Sequence, residues 1–192
     1  MKVGLFFGSF NPVHVGHMII ANYMVQYTDL DRIWMVVSPH NPFKNRNSLA
    51  NDYDRLHLLN LAIGDNEKIQ SSNVEFSLPK PSYTIDTLTY LYEKYPDKEF
   101  ALIMGGDNLT SFHKWKNYQQ IIAAHDIYVY KRGEHIEHQF SDNPRIKIQE
   151  APLLNISSSY IRATIQDNKS VQYLVPDNVY AYLKDHPIYS NI

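Results

Sequence analysis

Two stretches of the chain carry residue types that could handle a phosphate. The first is Gly8-Ser9-Phe10-Asn11-Pro12-Val13-His14-Val15-Gly16-His17. Gly8 and Ser9 are small enough for a sharp turn and for close approach of a phosphate to the backbone. His14 and His17 stand three apart, with Gly16 between them, where a helix is expected to begin. A helix start points free amide groups outward and favours an anion. Two imidazoles beside it could donate hydrogen bonds to charge that develops on a transferring phosphoryl group. The same residues also read as a tight turn with surface histidines, or as a pair of metal ligands. A zinc site would need a further ligand with its own support, and no His-Glu-x-x-His spacing occurs.

The second stretch is Ile156-Ser157-Ser158-Ser159-Tyr160-Ile161-Arg162. Its serines gather hydroxyls and free amides at the positive end of a predicted helix. Arg162 lies one turn on, and its forked guanidinium could reach the same anion. Alone, this is a well-capped helix with a solvated arginine. Beside the first stretch, it offers a second helix start that could face a polyphosphate from the other side.

Something must hold these two stretches together. Short apolar runs at 3–7, 33–37, 100–104, 127–130 and 146–148 read as strands, and 69–76 as a strand with polar alternation. Helical spacing falls at 15–27, 52–63, 83–95, 117–124, 157–166 and 176–185, the last with Pro176 in its first turn. Strands alternating with helices predict an α/β fold with a mostly parallel sheet covered on both faces. Ligands of such sheets bind beyond the carboxyl ends of the strands. That places chemistry in the loops after Phe7, Val37 and Met104. The polar stretches 40–50 and 133–143 read as loops, the first long enough to act as a lid or clamp.

Composition narrows the function classes. With 192 residues the expectation is one domain, 1–192, with the helices from about 157 packed on it. Eighteen Lys and Arg oppose 20 Asp and Glu, a formal charge of −2, which speaks against a module held on nucleic acid by backbone charge. No cysteine is present, so disulfides, thiolate catalysis and Cys-ligated zinc fall away, in keeping with a reducing cytoplasm. The opening is apolar too briefly for a signal-peptide core, and no run is long enough to span a bilayer. His135 and His138 read as surface charge, and His57 and His125 as structural histidines.

A small-residue turn followed by His-x-Gly-His, with Ile-Ser-Ser-Ser-x-Ile-Arg near the end, resembles the nucleotidylyltransferase superfamily of Rossmann-like enzymes. Ser82-Tyr83-Thr84-Ile85-Asp86-Thr87-Leu88, Gly105-Gly106-Asp107-Asn108-Leu109 and Phe112-His113-Lys114-Trp115 are similar to bacterial nicotinate-nucleotide adenylyltransferases. The resemblance runs from residue 2 to about 165, and its specificity lies in the combination of segments. That family commonly has Gly-Gly-[Ser/Thr]-Phe-Asp-Pro at the first turn, so Phe7 and Asn11 are departures.

The resemblance implies a doubly wound Rossmann-like sheet with a small C-terminal helical part. It implies transfer of the adenylyl group of ATP to nicotinate mononucleotide, with magnesium bridging the phosphates. His14, His17, Lys44 and Arg162 would act on the phosphates, with Ser158 and Ser159 holding the β- and γ-phosphates. Gly8, Ser9, Phe10, Gly16, Gly105, Asp107 and Ile156 would complete the ATP site, Asp107 through the ribose hydroxyls. Thr84 would meet the pyridine carboxylate and Trp115 would stack on the pyridine ring, with Lys80 and Arg46 nearby. The implied partners are small molecules, with no nucleic acid and no membrane; a homo-oligomer stays open. Nicotinamide mononucleotide or phosphopantetheine as acceptor, or a non-catalytic nucleotide sensor, are the alternatives.

Overall fold

The computed structural model describes residues 1–39, 49–131 and 139–190. Lys44, Arg46, His135 and His138 therefore lie outside the described residues.

Among the described residues, six strands form one parallel sheet: β1 (Lys2–Gly8), β2 (Arg32–Val37), β3 (Ile69–Ser72), β4 (Glu99–Gly105), β5 (Ile127–Tyr130) and β6 (Ile146–Gln149). Their order is β3-β2-β1-β4-β5-β6, a doubly wound, Rossmann-like arrangement. The chain runs outward in one direction from β1 and in the other from β4. The crevice between the carboxyl ends of β1 and β4 is thus the topological switch point.

The helices are α1 (Val15–Tyr27), α2 (Asp52–Ile63), α3 (Thr84–Lys94), α4 (Gly106–Ser111), α5 (Tyr118–Ala124), α6 (Ser158–Gln166) and α7 (Asp177–Asp185). Side chains of a strand alternate between faces, so the sheet is buried on both. Ile33, Met35 and Val37 of β2 join Ile20 and Met24 of α1, Leu58 and Leu59 of α2, and Val179 of α7 in one core. Trp34 and Val36 join Leu88 and Leu91 of α3, Leu109 of α4 and Ile121 of α5 in the other. Burial on both faces is why these strands read as continuous apolar runs.

Local chemistry sets the helix ends. Asn51 caps α2 by accepting the Tyr53 N–H at 2.9 Å, and Gly64 closes it at φ +60°. Ser157 caps α6 by accepting the Tyr160 N–H at 3.1 Å.

Three local expectations change. The strand expected over 69–76 stops at Ser72, and Val74–Ser77 is a 3₁₀ turn. β3 is the edge strand, and its pairing with β2 ends at the Val36–Ser72 rung. The chain then turns inward, and Glu75 is buried with the Thr87 hydroxyl donating to it at 2.9 Å. Pro176 precedes α7 as its N-cap instead of occupying the first turn. A short helix, α4, follows β4 directly with Gly105 as its N-cap, so Asp107 sits in a helical first turn.

Candidate active site

A cavity of about 640 Å³ opens at the switch point. Gly8, Ser9, Phe10, His14, His17, Asp107, Trp115, Ile156, Ser158, Ser159 and Arg162 all line it. Residues from both ends of the chain therefore meet at the carboxyl edge of the sheet.

The turn after β1 takes an uncommon path. Phe10 has φ +43°, a left-handed conformation that costs a non-glycine residue energy. Its ring lies over Gly8, where a Cβ would come within 2.7 Å of it. Gly8 thus admits the Phe10 ring, which packs edge-on to His17 at 5.0 Å.

His14 is the N-cap of α1 and is buried, whereas His17 is half-buried. The two rings stack, with centroids 3.6 Å apart. The His14 backbone N–H donates to His17 Nδ1 at 3.2 Å. An Nδ1 that accepts cannot also carry the proton, so the neutral ring holds it on Nε2. His17 is held as an Nε2–H donor, the form that a phosphate oxygen can use.

The serine-rich stretch closes the cavity from the other side. The Ser158 hydroxyl donates to the Pro12 carbonyl at 2.9 Å. Arg162 Nη1 donates to the Asn11 carbonyl at 2.8 Å, and Nη2 to Ser159 Oγ at 3.4 Å. The starts of α1 and α6 are thereby fastened to one another across the rim. Among the described lining residues, Arg162 and Asp107 are the Asp, Glu, Lys and Arg side chains, so cation and carboxylate share the cavity.

Asn11, one of the two departures, is buried, and its Oδ1 accepts the Ala50 N–H at 3.0 Å. The task at this position is to accept a hydrogen bond. An amide oxygen does that as a carboxylate would, without a buried charge. Phe7, the other departure, lines the cavity and packs against the core on the α3 side.

Gly105 does not line the cavity but shapes it. A Cβ there would lie 2.5 Å from Asp107 Oδ1. Asp107 is exposed on the cavity wall, free of bulk from the residue before its helix. Gly16 is buried in the first turn of α1, where a Cβ would stand 3.1 Å from His14 Nδ1.

Trp115 is half-buried against Phe112, with ring centroids 5.4 Å apart. Thr84 opens α3 and does not line this cavity. Its helix reaches the tryptophan segment through Lys116, which pairs with Asp86 at 2.9 Å and lies 4.8 Å above the Tyr83 ring. Lys80 sits apart from the cavity lining and pairs with Asp52 at 3.3 Å.

Of the two histidines expected to be structural, His125 is buried and His57 is exposed. His125 is buried with Nδ1 2.9 Å from the Phe100 carbonyl, and burial lowers its pKa. His57 packs edge-on against Tyr182 of α7.

One residue beneath the cavity was missed. Arg55 of α2 is fully buried and donates to the carbonyls of Ser9, Ser38 and Ala50 and to Asp52. The signal was present: Arg55 precedes Leu58 and Leu59 by three and four positions, so it shares their buried stripe. Glu75 lies nearby in the fold, with the Ser38 and Thr87 hydroxyls as hydrogen-bond partners, and burial raises its pKa.

Known proteins resemble this chain in sequence and in fold. The Cytidylyltransferase-like family model matches residues 5–164. A protein of Flavobacterium psychrophilum named probable nicotinate-nucleotide adenylyltransferase is 52% identical over 97% of this chain and 97% of its own. One of the same name from Flavobacterium johnsoniae is 50% identical over 98% of this chain and 99% of its own. In fold, the chain is similar to Plasmodium falciparum nicotinic acid mononucleotide adenylyltransferase complexed with NaAD, with a TM-score of 0.82 at 19% identity. That likeness covers 100% of this chain and 98% of the other. On the relatives that match it nearly end to end, this chain belongs to the nicotinate-nucleotide adenylyltransferase family.

Proposed function

We propose that this chain transfers the adenylyl group of ATP to the phosphate of nicotinate mononucleotide, releasing pyrophosphate and forming nicotinate adenine dinucleotide. An oxygen of the mononucleotide phosphate attacks the α-phosphorus of ATP. The bond from that phosphorus to the α–β bridging oxygen breaks, and pyrophosphate leaves with its electron pair. The nucleophile is already anionic near neutral pH, so the protein supplies no base. Its contribution is to position the reactants and to stabilise charge on the transferring group.

The observation that carries this reading is the fastening of two helix starts around one cavity, through Ser158 to Pro12 and Arg162 to Asn11. His17 would donate from Nε2 to the α-phosphate, with His14 stacked beneath it. Arg162, Ser158 and Ser159 would hold the β- and γ-phosphates. Asp107 would accept from the ribose hydroxyls. Trp115 would carry the pyridine ring, and Thr84 at the start of α3 would meet its carboxylate. Lys44 would add a cation from outside the described residues.

Among the described residues no three His, Cys, Asp or Glu side chains gather as a metal cage would require. Magnesium would enter with ATP as its substrate complex, and its charge would offset the charge of the phosphates during transfer. We further propose that residues 1–192 act as one catalytic unit. Among the described residues no helix is long and apolar enough to cross a membrane. The lack of cysteine suits a cytoplasmic setting.

The test is pyrophosphate release from ATP and magnesium with three acceptors offered separately. Turnover with nicotinate mononucleotide, well above that with nicotinamide mononucleotide or phosphopantetheine, is expected. Turnover with another acceptor would keep the phosphate machinery and overturn the roles of Thr84 and Trp115. Nucleotide binding without any turnover would point to a sensor.

A further inference from the structure

Arg55 is a guanidinium with no exposed surface. A buried charge is costly unless its donors and its charge are both satisfied. Asp52 meets the charge at 2.6 Å. Three more of its N–H donors go to backbone carbonyls. Nε reaches Ala50 at 3.1 Å, and Nη1 reaches both Ser38, at 3.0 Å, and Ser9.

The location of those carbonyls gives the arrangement its meaning. The last rung between β1 and β2 joins Gly8 to Val37. One more bond follows, from the Ser38 N–H to the Gly8 carbonyl at 2.9 Å. Beyond it the strands part, and Arg55 bridges the gap by drawing the Ser9 and Ser38 carbonyls toward itself. In a trans peptide the C=O and the following N–H point in opposite directions. With the Ser9 carbonyl turned to Arg55, the Phe10 N–H is turned away from it. Carbonyl oxygens repel phosphate, whereas amide hydrogens attract it. Ser9, Phe10 and Ser38 all line the cavity.

We propose that Arg55 is a positioning residue for adenylyl transfer. It holds the Ser9 and Ser38 carbonyls back from the cavity, which leaves the Phe10 amide to face the ATP phosphates. Arg55 touches no substrate in this scheme. The proposal rests on the reading of this cavity as the ATP site.

Arg55→Lys tests it. The lysine keeps the charge but lacks the fork that serves three carbonyls and a carboxylate at once. Steady-state rates are measured at a temperature well below the variant's own unfolding midpoint. We expect kcat to fall by about tenfold or more, and KM for ATP to rise while that for the mononucleotide stays within about threefold. A kcat and an ATP KM both within about twofold of the unmodified protein would overturn the proposal and leave Arg55 a purely structural residue.

A measurement on the unmodified protein covers the case in which the variant does not fold. The Arg55 side-chain Nε–H resonance is followed by ¹H–¹⁵N NMR during titration with magnesium and a non-hydrolysable ATP analogue, then with the mononucleotide alone. A shift with the analogue and none with the mononucleotide is expected. An unmoved Arg55 signal, while cavity amides shift, would sink the positioning role. No shift anywhere with the analogue would instead sink the reading of the cavity.

Discussion

His17 accepts the backbone N–H of His14 through Nδ1 at 3.2 Å, while the two imidazoles stack at 3.6 Å. One hydrogen bond thus fixes ring orientation and tautomer together, and Nε2 is left as the donor. Phe10, edge-on at 5.0 Å, supports the same ring. The stack also explains why Gly16 suits the turn of helix between them, since a side chain there would crowd His14.

Replacing His17 by Asn or by Gln separates these roles. Asn can place its oxygen near the Nδ1 position and keep the cap, but it has no donor near Nε2. Gln can place an N–H near Nε2. We expect His17→Asn to fold normally and lose about 10²–10³-fold in kcat, with His17→Gln less impaired. Turnover by single-mixing kinetics on both variants checks this. An Asn variant as fast as the parent would remove Nε2 from the phosphoryl site.

Gly105→Ala introduces a methyl group 2.5 Å from Asp107 Oδ1. Because Asp107 lies exposed at the cavity wall, it can swing away, so folding should survive while the carboxylate leaves its place. KM for ATP should rise by roughly tenfold, with the unfolding midpoint lowered modestly because the methyl group also stands 3.2–3.3 Å from the buried Tyr130 side chain. Substrate-saturation curves beside thermal unfolding decide it. An unchanged KM would separate Asp107 from the ribose.

Trp115→Ala removes a ring that rests on Phe112 and faces the cavity. Loss of one stacked ring is worth about 1–3 kcal/mol of ligand affinity. The mononucleotide should weaken by about tenfold or more and ATP much less. Isothermal titration with each substrate provides the comparison. Equal weakening of both would make the tryptophan a support for the wall alone.

At the amino end of the sheet, about 20 Å from the cavity along β1, Lys2 bridges Asp29 at 2.8 Å and Asp126 at 2.7 Å. Lys147 pairs with Asp126 at 2.9 Å. Desolvation opposes the charged carboxylates, but hydrogen bonds from Lys2, Tyr128 and Lys147 outweigh it and hold both below the ordinary Asp pKa. A lowered folded-state pKa means that this stabilisation is complete above the unfolded value near 4. It is lost as pH falls through the folded-state values. Asp126→Asn should therefore cost about 1–2 kcal/mol at neutral pH, an amount kept modest because part of the cluster is exposed. The difference from the parent should shrink below about pH 4. Urea unfolding across pH measures this, and kcat should be unaffected because the cluster lies at the far end of the sheet. A stability difference independent of pH would mean that the carboxylate charge is not what matters.

Local patterns in the amino-acid sequence determined the elements and which polar residue types line the cavity. Apolar runs buried on both faces marked β1, β2 and β4, and a serine run marked the start of α6. The edge strand was overdrawn because strand pairing, not propensity, sets where β3 ends. Tertiary structure alone decided how the parts meet. Arg162 finds the carbonyl of Asn11 across 151 positions, a contact that no local spacing encodes. Asn11 looked like a departure until its oxygen was seen to accept from Ala50, 39 positions away. The spacing of Arg55 to Leu58 and Leu59 encodes its burial but not its partners, which come from segments that approach one another only when the sheet forms. The chemistry of each residue is local, but hydrogen-bond acceptors for a buried donor are supplied by the whole fold.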